Sequence, residues 1–228
     1  MGRISAFRRN PVDMHEAFEL TVQDEQAGWP EMTSAIGRVV ATSAWATIAL
    51  QELAVALADS EYVYFLMEDS TMGGQINQVE NLIKGPKRWS WSSKASPLHR
   101  ESEEVALQCL VPLRRLSLYR NRIVHDEWYP DLRWGYTDGL LGRRATRYGK
   151  NEILSRRVTF HRVAYSLSIA TESLNHTAIA VRDLRGSGQL GLDELRLARD
   201  CLATLDRRRL DAEAGRDPEW RWLERPSA

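Results

Sequence analysis

Apolar residues recur at steps of three and four along most of this chain, the spacing of one face of an α-helix. The clearest run is Glu31 to Ala58, where Met32, Ile36, Val39, Val40, Trp45, Ile48, Leu53 and Leu57 form the stripe. Its many alanines permit close helix packing, so it predicts a core or interface helix. Residues 11 to 27 predict a short preceding helix, ended at Gly28-Trp29-Pro30 because proline disfavours helix in its predecessor. A short apolar piece spans Val63 to Met67, Gly73-Gly74 breaks the chain, and Gln75 to Ile83 predicts another helix. Gly85 to Pro97 reads as a loop.

A long helix follows from near Glu101 to about Glu127, bent at Pro112, which deletes one backbone donor. Tyr129-Pro130 ends it. From Leu132 to Tyr148, the glycines and the Asp138-Gly139 turn signal beside Trp134, Tyr136 and Leu140 predict a hairpin or long loop. Two further helices are expected, Leu154 to Leu184 and Leu192 to about Ala214, separated by Gly186-Ser187-Gly188. The expected fold class is all-α: a bundle of about five to six helices with a small loop or β-hairpin insertion after the long central helix. It forms one domain over 1–228, with an N-terminal extension 1–28 and an insertion at about 129–153.

Composition changes this picture little. The chain of 228 residues is 43% hydrophobic and 27% charged, ordinary for a globular protein. The stretch Met1 to Asn10 is basic and polar and does not resemble a secretory signal, and no run approaches about 18 consecutive apolar residues, so a cytoplasmic location without membrane insertion is expected. Cys109 and Cys201 lie far apart in helical patterns and read as reduced core residues. His15, His99, His161 and His176 lack metal-ligand spacing, and neither a phosphate- or dinucleotide-binding glycine loop nor a serine-hydrolase elbow is present. No metal and no cofactor are expected.

Net charge is zero but unevenly placed. Met1 to Met72 carries 4 Lys and Arg against 11 Asp and Glu, giving −7, whereas Arg114 to Arg162 carries 12 against 5, giving +7. In the basic segment Arg143, Arg144, Arg147, Lys150, Arg156 and Arg157 are candidates to attract an RNA backbone, or else solvated faces paired with the acidic segment. The loop before the long helix sets Lys87, Arg88 and Lys94 around Trp89 and Trp91. Charges for phosphates beside rings for bases suit a single-strand binder, and equally a surface loop anchored by tryptophan.

The candidate chemistry lies late in the long helix, at Arg120-Asn121-Arg122-Ile123-Val124-His125. Leu113, Leu116 and Ile123 share one apolar stripe, and Arg120 occupies the gap in it, a costly place for a guanidinium unless it is paired or faces a wet cleft. Asn121 and His125 are four apart and share the neighbouring face, between Leu118 and Trp128. Histidine can take or give a proton near neutrality, as activation of a ribose 2′-hydroxyl or protonation of a leaving 5′-oxygen requires. Arginine offers a permanent fork to phosphate oxygens as charge builds there. Asparagine does not titrate and has a positional role.

This R-N-x-x-x-H arrangement resembles the signature of the HEPN-domain family (higher eukaryote and prokaryote nucleotide-binding). The resemblance implies a small helical bundle, a homodimer joining two copies of the motif, and metal-independent RNA cleavage leaving a 2′,3′-cyclic phosphate. It also implies Arg120, Asn121 and His125 as catalytic residues, and a toxin or defence role in which an antitoxin or other regulatory protein is a partner; Arg122, by its charge, is a further candidate RNA contact. The match covers six residues. One variant of the family has a tyrosine two residues after the histidine, and here that position is Glu127. Two rival readings stand beside it: a module that binds RNA, a nucleotide or a protein without cleaving, and a buried hydrogen-bond network that fixes a dimer.

Overall fold

The computed structural model describes residues 11–85, 97–130, 139–146, 149–184 and 190–213. Side chains are described for these residues except 11–31, 97, 99, 127, 129–130, 139–146, 149–159 and 209–213. Six helices appear among the described residues: α1 (Pro11–Ala58), α2 (Tyr62–Glu68), α3 (Met72–Lys84), α4 (Pro97–His125), α5 (Arg157–Asp183) and α6 (Gly191–Glu213). Between α4 and α5 lie β1 (Glu127–Pro130), β2 (Gly139–Thr146) and β3 (Gly149–Arg156), an antiparallel sheet in the order β1-β2-β3. The all-α bundle with a β insertion is therefore the architecture.

Several expected boundaries move. The stop at Gly28-Trp29-Pro30 is absent, and α1 runs through it. Proline removes one helical hydrogen bond, a local cost that the helix on either side absorbs, as it also does at Pro112 inside α4. Gly73 and Gly74 do not break the chain but form the first turn of α3, because the Thr71 hydroxyl accepts from the Gly74 amide at 3.2 Å and caps the helix there. The insertion is a sheet over 127–156, so α5 begins three residues later than its apolar pattern suggested. Gly139 opens β2 and pairs with Arg156, so the Asp138-Gly139 signal marks the start of a strand and not the tip of the β2–β3 hairpin.

Helix α1 is the spine. Met32, Ala35, Val39, Ala46, Ala49, Leu50 and Leu53 are buried, whereas Val40, Trp45 and Ile48 of the expected stripe are exposed. The buried face is shifted onto alanines because α1 packs mainly on α5, and small side chains let the two backbones approach. Met32–Ala58 is by length and composition apolar enough to cross a membrane, with 56% of its most apolar window buried inside the bundle. Hydroxyls interrupt this helix without leaving orphans: Ser43 donates to the Val40 carbonyl at 2.8 Å and Thr47 to the Ser43 carbonyl at 3.0 Å.

One cluster of buried side chains joins α1, α3, α4, α5 and α6, reaching from Leu50 and Val79 through Leu113 to Phe160, Leu174 and Leu195. A polar chain crosses it. Ser173 donates to the Ala198 carbonyl at 3.0 Å, so the Cys109 thiol, 3.0 Å from that hydroxyl, is the donor to Ser173. Both cysteines are free, and burial pushes the Cys109 thiol above its ordinary value, outweighing its polar contacts with Ser173 and Thr177. Cys201 is only partly buried. The α5–α6 turn is closed by the Asp183 carboxylate, which accepts from the Gly191 amide at 2.8 Å. A Cβ at Gly191 would lie 3.2 Å from Leu184 Cγ and 3.3 Å from the Ala180 carbonyl, which explains the glycine.

The end of α4 is held from outside. The Trp128 indole donates to the Ile123 carbonyl at 2.9 Å, satisfying a terminal acceptor, and its ring meets Phe160 edge to face at 4.7 Å. Phe160→Ala removes a fully buried ring and this contact, and is expected to lower unfolding free energy by about 3–5 kcal/mol. Trp45→Ala, at an exposed position, is expected to change it by less than about 0.5 kcal/mol. Urea titrations followed by circular dichroism measure both, and equal losses would contradict this arrangement of the core.

Candidate functional site

The last two turns of α4 bring Arg120, Asn121 and His125 together. Arg120 Nη1 donates to Asn121 Oδ1 at 3.1 Å and faces His125 Nε2 at 3.3 Å. Arginine has no acceptor, so a hydrogen bond between the two requires Nε2 to be the unprotonated ring nitrogen, with the ring proton on Nδ1. Asn121 and His125 are exposed and Arg120 is half-buried. The fork thus emerges from the apolar stripe, between the buried Leu116 and Ile123, onto a solvent-facing surface.

Ser43 helps place it. Arg120 Nε donates to the Ser43 hydroxyl on α1 at 3.4 Å, and that hydroxyl passes its own proton to the Val40 carbonyl. Ser43 itself sits in the buried stripe Val39, Ala46, Leu50 of α1. Sequence reasoning missed it, because the stripe that Ser43 interrupts is defined only by the packing of α1 and its partner Arg120 lies 77 residues away. Trp128, expected on the motif's face, is instead buried in β1 behind the end of α4.

Arg122, expected as an RNA contact, lies against a carboxylate of its own helix end. Its guanidinium is paired with Asp126 one turn on, and the two side chains are only 17% and 0% exposed. This is a largely buried pair that fixes the helix end, at the i, i+4 spacing visible in the sequence. Arg143 and Arg144 lie on β2, which packs against the end of α4, and Arg143 sits in register between Glu127 of β1 and Glu152 of β3. Their side chains are outside the described residues, as are Arg147 and the loop with Lys87, Arg88, Trp89 and Trp91. His176 bonds Glu194 at 2.6 Å and ties α5 to α6.

Among the described residues no group of three or more His, Cys, Asp or Glu is placed to hold a metal ion. Comparison with known proteins finds no matching family model, no matching curated protein and no matching solved structure. The arrangement itself offers a base-competent imidazole, a permanent cation and an amide within one hydrogen-bonded unit on an open face. Arg122→Ala would remove the guanidinium that faces the buried Asp126 carboxylate, with an expected loss of about 3–5 kcal/mol in a thermal melt. An unchanged melting temperature would contradict the structural assignment of that pair.

Proposed function

We propose that the chain is a HEPN-like, metal-independent endoribonuclease that acts as a homodimer. The observation that carries the reading is the Arg120 fork held within 3.1 Å of Asn121 and 3.3 Å of His125 on an exposed helix face. A scissile phosphate arriving there competes for the fork, and in drawing Arg120 to its oxygens releases the Nε2 lone pair.

His125 Nε2 then takes the proton from the ribose 2′-hydroxyl. The 2′-oxygen attacks phosphorus, the bond from phosphorus to the 5′-oxygen breaks, and the products are a 2′,3′-cyclic phosphate and a 5′-hydroxyl. The leaving 5′-oxygen needs a proton, and in a dimer the protonated imidazole of the second copy's His125 supplies it. Asn121 keeps the fork between phosphate and imidazole. RNA is the substrate, the cytoplasm the proposed location, and a toxin or defence role controlled by an antitoxin or other regulatory protein fits such an activity.

The link from Arg120 to Ser43 favours a second reading, in which the trio only ties α4 to α1. Incubating end-labelled tRNA and mRNA in excess EDTA separates the two. His125→Ala is expected to lose about 10²–10⁴ in cleavage rate with its melting temperature kept. Arg120→Lys, which keeps charge but loses the fork, is expected to lose cleavage as well. No cyclic-phosphate ends from the wild type, or loss of stability in His125→Ala, would move the assignment to the structural reading.

A further inference from the structure

The face of α4 that carries the motif continues backward into a groove against α3. Its cavity is about 430 Å³, with Leu107, Leu110, Val111 and Leu118 among its lining. Val111 and Leu118 are 59% and 52% exposed, two large aliphatic side chains left in solvent one above the other on a helix that buries its other faces. Lys84, Arg114, Arg115 and Glu80 supply the charge around it. Glu80 is bonded by both Lys84 and Arg114, and the hydrogen bond from Lys84 is the first reason its carboxyl is held below its ordinary value of 4.5. Three cations against one carboxylate leave the rim positive, and Arg115 has no ion pair among the described residues.

We propose that this groove docks a short acidic amphipathic α-helix of a partner protein. Aliphatic side chains on one stripe of that helix cover Leu107, Val111 and Leu118, and carboxylates beside the stripe meet Arg115 and the Lys84–Arg114 rim. From Leu107 to Leu118 the groove follows α4 for about 16 Å, which matches about three turns of a bound helix. The chemistry of the lining selects this occupant. Unpaired nucleobases are held by stacking on aromatic rings, and among the described residues none lines the groove. A second copy meeting this face by two-fold symmetry would bring two rims of net positive charge together, which disfavours association. A helix seated here ends about 10 Å along α4 from His125, close enough to obstruct the exposed motif, a consequence that rests on the proposed nuclease reading.

Docking is tested without any cleavage assay, so its failure is distinct from failure of that reading. The probe is a fluorescein-labelled synthetic helix with leucine at i, i+3, i+4 and i+7 flanked by glutamate, titrated with wild-type protein and with Arg115→Glu and Leu118→Asp. Both positions are exposed, and circular dichroism checks that the variants fold. Saturable anisotropy is expected for the wild type, about tenfold weaker in each variant, and recovery with Arg115→Glu when lysine replaces glutamate in the peptide. Equal binding of a scrambled peptide, or unchanged affinity in the variants, overturns the proposal. So does a change in sedimentation on Leu118→Asp, which gives the groove to a second copy, or loss of single-stranded oligonucleotide binding in Arg115→Glu, which gives it to RNA.

Discussion

Ala35, Ala46, Ala49, Ala54 and Ala56 of α1 are all essentially inaccessible, and small side chains of this kind suit the close contact of α1 with its main neighbour, α5. That contact fixes the position of α1, and with it the position of Ser43, beneath the carboxyl end of α4. A larger side chain in this seam would need backbone movement, since interiors packed to crystalline density have little slack. The site is therefore set by the packing of small residues some distance from it. Phe160 and Trp128 hold the other side of the same helix end, and the Arg122–Asp126 pair locks its last turn.

Within that frame Arg120 meets two demands. Its stem lies in an apolar stripe, and its charge must still be hydrogen-bonded; Ser43, Asn121 and His125 together satisfy it. Among the described residues these partners carry no carboxylate, so the fork's charge is uncompensated although its Nε and Nη1 donors are engaged. A phosphate offers what they do not, a full negative charge in bidentate geometry. Exchange of neutral partners for a phosphate links the resting arrangement to the proposed chemistry: the group that restrains the imidazole is the group the substrate draws away.

The helices were legible because apolar spacing reports burial directly, and the motif trio because helical periodicity places residues one, four and five apart on adjoining faces. Which face of α1 is buried was not legible, since alanine carries too little hydrophobicity to outweigh Val40, Trp45 and Ile48, although alanine is what close packing on α5 selects. The Gly73-Gly74 pair misled because the local rule for glycine ignores the Thr71 cap that makes a helix start there. Arg122 was grouped with the basic residues by charge alone, yet Asp126 at i+4 already offered it a partner. Ser43 required tertiary information, for it lies 77 residues from Arg120.

The central claim is that Arg120 and His125 form one unit that a phosphodiester enters. Nitrogen-detected NMR of the His125 ring, with and without a 2′,3′-cyclic nucleotide as product, tests it most directly. The expected result is an Nδ1-protonated ring whose Nε2 resonance shifts on saturable addition of the nucleotide in the wild type and not in Arg120→Ala. An Nε2-protonated ring in the free protein, or a ring unaffected by the nucleotide in a folded wild type, would contradict it.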